Sequence, residues 1–249
     1  MDKSTNHKNS FLQDLLFPKF CLGCQTEGTF LCEDCRELLE IIDHGYCLCE
    51  RSTFWIPKNS KEGKCPKCRH KKLSGLYFAL SYKEKTLTRK LIHQFKYKPF
   101  IKNLAKPLAS LLIEHFIKTG KNTNDPWENG VLVPVPLDQK KIKDRGYNQS
   151  EELSKELSKV LKIPVASNIL IKIKSTPPQM EQKREERLKN LAGAFTINKN
   201  CATSEIAQFS KIFLVDDVYT TGSTMEHCSQ VLLDAGAKSV WGIALAREG

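Results

Sequence analysis

The sequence predicts an α/β fold: a parallel sheet whose strands are joined by right-handed helical crossovers, with a small cysteine-rich module in front. Three observations lead there. From Val131 onward, short apolar runs alternate with stretches whose apolar residues recur three and four apart, as strands and crossover helices require. Of the 10 cysteines, all but two fall between Cys21 and Cys68. Near the C-terminus an apolar run passes directly into two acids and then into a hydroxyl-rich glycine turn that opens a helix.

A chain of 249 residues that is 40% apolar, 27% charged and 8% aromatic can build one sizeable core plus a small appendage, which excludes a disordered or collagen-like protein. The polar opening Met1 to Ser10 is expected to be flexible. The apolar patch Phe11 to Phe17 carries Asp14 and is cut by Pro18, so it is too short for a secretory core or a membrane span of ~20 residues, and a cytoplasmic location is expected. Net charge is +2 over residues 1–75, +6 over 76–130, +5 over 131–190 and −2 over 191–249. A basic middle suits nucleic acid, an acidic small molecule such as a polyphosphate, or solubility alone.

Residues 18–75 show almost no helical periodicity, so that stretch needs metal or disulfides to hold it, and a boundary at Gly75 divides the chain into 1–75 and 76–249. Leu76 to Tyr82 reads as a strand, and Thr88 to Tyr97 and Ile101 to Lys118 as helices. A polar loop, Thr119 to Gly130, leads to the strand Val131 to Pro136. Next come a helix over Glu151 to Lys162, with Leu153, Leu157, Val160 and Leu161 on one face, and a strand over Ile169 to Ile173. Lys174 to Arg187, a charged stretch containing Pro177 and Pro178, is expected to be a mobile loop running into a helix. Ile212 to Val215 is a strand. The helix from Ser223 buries Met225, Cys228, Val231 and Leu232 and stops at Gly236, and Val240 to Ala246 is the last strand.

The cysteines form four knuckles: Cys21 and Cys24, Cys32 and Cys35, Cys47 and Cys49, Cys65 and Cys68. Two knuckles complete a tetrahedral thiolate site, and thiolates favour zinc, so two structural Zn²⁺ ions are expected, with an iron–sulfur cluster or a redox role as alternatives. Sequential pairing puts Cys21, Cys24, Cys32 and Cys35 on one ion and Cys47, Cys49, Cys65 and Cys68 on the other; interleaved pairing remains open. Four thiolates leave no open position for catalysis. Cys201 and Cys228 stand apart, Cys228 as a core helix residue.

Phe213 to Thr224 is the most informative segment. Helix-terminal N–H groups and the hydroxyls of Thr220, Thr221, Ser223 and Thr224 can wrap a phosphate, with Gly222 letting the backbone approach it. Asp216 and Asp217 can accept hydrogen bonds from vicinal sugar hydroxyls or face Mg²⁺.

This string resembles the 5-phosphoribosyl-1-pyrophosphate (PRPP) signature of type I phosphoribosyltransferases. Leu15-Leu16-Phe17-Pro18 before Cys21-Leu22-Gly23-Cys24, Ile92 to Tyr97, Val133 to Leu137, Arg145-Gly146-Tyr147-Asn148-Gln149, and Gln179 through Arg187 to Phe195 are similar to blocks of the ComF family. The resemblance implies a double zinc ribbon followed by a phosphoribosyltransferase-like sheet with helices on both faces, PRPP and Mg²⁺ as ligands, and a role in natural competence involving incoming single-stranded DNA. It implies pyrophosphate at Val135, Pro136 and Leu137, and a closing loop carrying Gln179, Arg184 and Arg187. Arg145 could clamp a pyrophosphate bidentately or be a solvated surface residue. Asn148 and Gln149 could equally cap a helix. The sequence departs from the family at Cys47-Leu48-Cys49, with one residue between thiols where two are usual. It also has Thr220 where some purine phosphoribosyltransferases carry an acid, so the turn supplies no evident general base.

His93, Lys96 and Lys98 interleave with Phe95, Tyr97 and Phe100, a pattern that suits stacking and neutralising single-stranded nucleic acid and equally suits an amphipathic helix. Two functional classes stay open. One is pentosyl transfer from PRPP to an unspecified acceptor; the other is a non-enzymatic DNA-uptake factor using the pocket as a ligand sensor or scaffold. Competence-machinery proteins are further possible partners.

Overall fold

The computed structural model describes residues 18–49, 55–57, 63–121, 126–173, 193–201 and 203–248. The opening residues, including Leu15 to Phe17, and the charged stretch with Gln179, Arg184 and Arg187 lie outside the described residues. The cysteine-rich part holds α1 (Glu33–Glu37) and the antiparallel pair β1 (Gly45–Tyr46) and β2 (Trp55–Ile56). After it come β3 (Leu76–Ser81), α2 (Leu87–Lys96), α3 (Ala105–Lys118), β4 (Gly130–Pro134), α4 (Gln139–Arg145) and α5 (Gln149–Leu161). The chain continues through β5 (Leu170–Lys172), β6 (Phe195–Ile197), α6 (Thr203–Ala207), β7 (Lys211–Tyr219), α7 (Ser223–Asp234) and β8 (Val240–Arg247). Among the described residues no helix is long and apolar enough to cross a membrane.

The main sheet is parallel in the order β3-β8-β7-β4, with Leu76 opposite Gly242, Val215 opposite Ile243 and Val131 opposite Ile212. The two-residue period of the strands feeds two cores. Leu132, Phe213, Val215, Ile243 and Leu245 face one side, packed with Leu91, Leu108, Leu112, Leu153 and Leu157 of α2, α3 and α5. Val131, Val133, Ile212, Leu214 and Ala244 face the other, packed with Met225, Cys228 and Leu232 of α7 and with Leu170 and Phe195 of the β5–β6 pair. Helices therefore lie on both faces, as expected. All four strands point their carboxyl ends at one edge, where α/β sheets place ligands.

Several local expectations are corrected. The strand near Ile169 does not enter the parallel sheet: β5 pairs antiparallel with β6, while residues 164–166 bridge to β4 at its open edge. The expected helix from Ile101 opens with a separate 3₁₀ turn, Lys102–Leu104, before α3 starts. Val160, in the last turn of α5, is 56% exposed because burial ends at Leu157, and Val231 is only partly buried. The strand at Ile212 runs on to Tyr219 because Asp216, Val218 and Tyr219 keep pairing with Ala244, Ala246 and Arg247.

The cysteine-rich part is built into both cores. Cys21, Leu31, Cys35 and Leu39 share the cluster of α3, and Arg36 donates to Ser110 and Glu114 of that helix, each at 3.0 Å. Cys47, Leu48, Cys65, Cys68 and Leu73 share the cluster on the opposite face.

Candidate functional site

The structure resolves the open choice of cysteine pairing. Sγ atoms of Cys21, Cys24, Cys32 and Cys35 lie within 4.8 Å of one another, as do those of Cys47, Cys49, Cys65 and Cys68. A tetrahedral ion with metal–sulfur bonds of ~2.3 Å separates its sulfurs by roughly 3.8 Å, so both sets fit one metal ion each. Backbone N–H groups reach the sulfurs: Cys32 and Gly23 donate to Cys21 Sγ at 3.4 Å, and Cys65 donates to Cys47 Sγ at 3.0 Å. Burial opposes ionisation of Cys21, but the N–H groups of Cys32, Cys24 and Gly23 outweigh it and bring that thiol down to about 6. The shorter knuckle does not break the second set: Cys49 Sγ lies 3.5 Å from Cys47, Cys65 and Cys68.

Asp216 and Asp217 end the central strand, and the turn after them opens α7. Gly222 caps that helix with φ +77°, and the Tyr219 ring occupies the space a Cβ would need there, so only glycine fits without rearrangement. N–H groups in the first turn of α7 have no acceptor within the helix, and that of Ser223 reaches Thr221 Oγ1 at 3.4 Å. Thr221 Oγ1 and Ser223 Oγ lie 2.8 Å apart at the lip of this turn.

The turn floors a cavity of about 550 Å³ whose walls bring together most of the sequence-derived residues: Val135, Pro136, Leu137, Arg145, Asp216, Asp217 and Thr220 to Thr224, with His93, Lys96 and Tyr97. Lys98 is exposed and does not line it. Lys96, grouped in sequence with a surface stripe, points inward: its Nζ lies 3.0 Å from Asp217 Oδ1, and the Asp217 side chain is 2% exposed. Asp217 Oδ2 is buried without a hydrogen-bond partner among the described residues. Asp216 accepts from Ser150 Oγ at 3.0 Å and from the Asp217 N–H at 2.8 Å. Burial, then the neighbouring Asp217 charge, pushes its carboxyl up to about 7.

Asn148 caps a helix, whereas Gln149 is that helix's first residue and its side chain turns to Arg145 instead. Asn148 Oδ1 accepts the Ser150 N–H at 3.0 Å, and its Nδ2 donates to Val135 O at 3.0 Å, fixing α5 to the end of β4. Arg145 donates to Gln149 Oε1 and lies over the Phe100 ring. Its Nε is buried without a partner among the described residues, and burial disfavours its charge. Lys141 and Lys172, which sequence reasoning passed over, also line the cavity. Burial lowers both, and each repels the other or a neighbouring cation: Lys172 feels Lys141, and Lys141 feels Lys96 and Arg145. Lys141 was visible in the basic run before Arg145, whereas Ser150 and Lys172 arrive through the fold and leave no local signal.

Residues 142–249 match the family model described as the phosphoribosyl transferase domain. Competence protein F of Haemophilus influenzae is 35% identical over 132 residues, 52% of this chain and 56% of that protein. Competence protein ComFC of Bacillus subtilis is 34% identical over 123 residues, 49% of this chain and 46% of its own length. The chain is a homologue of the ComF competence proteins. It spans about half the length of those two, and it aligns at 28% identity over 220 residues with the DNA utilization protein YhgH of Escherichia coli K12, 84% of this chain and 93% of that one. Two of the four sheet strands of this ComF homologue, β3 and β4, precede the matched region, so its sheet is completed from outside the phosphoribosyl transferase match.

Proposed function

We propose that this ComF homologue binds PRPP with Mg²⁺ in the cavity over β7 and α7 and uses that site in handling single-stranded DNA during competence. The carrying observation is the convergence of an acid pair, a glycine-hydroxyl helix entrance and the cations Lys96, Lys141, Arg145 and Lys172 on one cavity. Mutually repelling, partly buried cations are neutralised best by a polyanion. In this reading the amides and hydroxyls of Thr220 to Thr224 hold the 5′-phosphate, Asp216 and Asp217 take the ribose hydroxyls and Mg²⁺, and the pyrophosphate lies along Val135, Pro136 and Leu137 toward Arg145. Gln179, Arg184 and Arg187 belong to the closing loop. Transfer would rest on alignment and electrostatic stabilisation of an oxocarbenium-like centre, with Mg²⁺ screening the departing pyrophosphate. Residues 1–75 form the module carrying two structural zincs, and 76–249 the ligand-binding domain.

The names of the relatives, competence and DNA utilization, support the DNA side of the reading. His93, Tyr97 and Lys98 are exposed, the first two at the cavity mouth with ring centroids 4.8 Å apart, which offers a base a stacking surface. Calorimetry tests the ligand: PRPP should bind only with Mg²⁺, and Asp216→Ala/Asp217→Ala should weaken it by about 100-fold or more. Wild-type protein that ignores PRPP would overturn the reading. Pyrophosphate release on addition of candidate acceptors distinguishes transfer from a binding-only role.

A further inference from the structure

The ion pair between Lys96 and Asp217 has a consequence beyond neutralising a buried charge. Lys96 closes α2, whose last turn is anchored: Phe95 is fully buried, and the Tyr147 hydroxyl donates to its carbonyl at 2.5 Å. The backbone at Lys96 is therefore fixed, while a flexible four-carbon stem lets Nζ move several ångströms. Nζ sits 3.0 Å from Asp217 Oδ1, and the other carboxylate oxygen, Oδ2, is buried with no hydrogen-bond partner among the described residues. Lys96 thus occupies one half of the carboxylate, and no described residue occupies the other.

We propose that Lys96 is a stand-in counter-ion that keeps free divalent cations off the acid pair and surrenders the position only to a metal arriving with a polyphosphate. A lone hydrated Mg²⁺ entering the cavity meets an ammonium on Asp217, with Lys141 and Arg145 on the same walls. All three repel it. The complex of Mg²⁺ with a sugar diphosphate is net negative, so the same three cations attract it, and its phosphates give the displaced Lys96 ammonium a new partner. Lys96 would thus set the specificity of the site for metal–diphosphate complexes over either component alone. The displacement by a phosphate rests on the proposed PRPP reading; the exclusion of free metal does not.

The test is a titration of the full-length chain with Mn²⁺, followed by electron paramagnetic resonance of the free ion, beside calorimetry of PRPP with Mg²⁺. Lys96→Met should bind Mn²⁺ without PRPP at least tenfold tighter than wild type, lose that gain when Asp217→Asn is added, and bind PRPP at least tenfold more weakly. Lys96→Arg, which keeps the charge, should stay near wild type in both arms. Affinities that move in opposite directions are not the signature of damaged packing. Equal Mn²⁺ affinity in wild type and Lys96→Met, or a joint loss of both affinities, would overturn the proposal. Lys96→Gln supplies the same comparison if the methionine variant lacks a cooperative melt. Should wild type fail to bind PRPP while the Mn²⁺ gain persists, the ligand reading falls and the exclusion of free metal stands.

Discussion

Gly222 holds a left-handed conformation at φ +77° with the Tyr219 ring packed where a side chain would start, so two independent constraints meet at one atom. Gly222→Ala should cost about 2–4 kcal/mol from the backbone conformation and overpacking together, and should weaken PRPP binding, because relief requires the turn to move. Thermal melts and calorimetry on one preparation check both; unchanged PRPP affinity would show that the turn does not hold the phosphate. His115 makes a separate prediction. It is 1% exposed, its Nδ1–H donates to Ile42 O at 2.6 Å, and His44 and Asp43 are the titratable groups that bear on it. Burial, assisted by His44, holds its imidazolium down to about 4, against an ordinary value of about 6.5. The unfolded chain then binds a proton between those values and the folded chain does not, so stability is full above pH 6.5 and falls as pH drops toward 4. The loss attributable to this group is about 3 kcal/mol. Urea melts across that window should show the slope, and His115→Leu should flatten it.

Asn148 does three jobs with one side chain: it caps α5, ties that helix to β4, and so sets Ser150 against Asp216. Asn148→Ala removes the cap and orphans the Val135 carbonyl, so a loss of about 2 kcal/mol in stability is expected, with weaker PRPP binding. A variant that melts like wild type would show that the cap is dispensable. The same helix shows what the sequence made legible. Local patterns located β3, α2, α5, β7 and α7 because each depends on its own periodicity, and the acid pair and glycine turn were readable because strand, turn and helix are consecutive. The β5–β6 pairing was not, since it depends on which edge is already occupied when a three-residue strand seeks a partner. Nor was the direction of Lys96: the residues between Leu91 and Phe100 support an outward stripe as well as an inward cation, and contacts distant in sequence, Tyr147 to Phe95 and Asp217 to Lys96, go with the inward turn.

Arg247 joins the second cysteine set to the cavity over β7 and α7. It is 4% exposed, donates to the carbonyls of Cys47, at 2.7 Å, and Cys49, and lies 5.6 Å from the ring centroids of both Phe78 and Tyr219. Tyr219 in turn fills the space behind Gly222, so the knuckle, the last strand and the glycine turn form one packed chain of contacts. Full occupancy should give two zinc ions per chain by metal analysis, one for each cysteine set. Stripping the metal should then do more than loosen an appendage, because Cys21 and Cys35 belong to one core of the sheet and Cys47, Cys65 and Cys68 to the other. Chelation is expected to lower the melting temperature of the whole chain in a single transition and to abolish PRPP binding in parallel. Arg247→Met should reproduce part of the PRPP loss with the zinc content intact, separating the contact from the ion. A chelated chain that keeps wild-type PRPP affinity would show instead that the two parts are joined without being coupled.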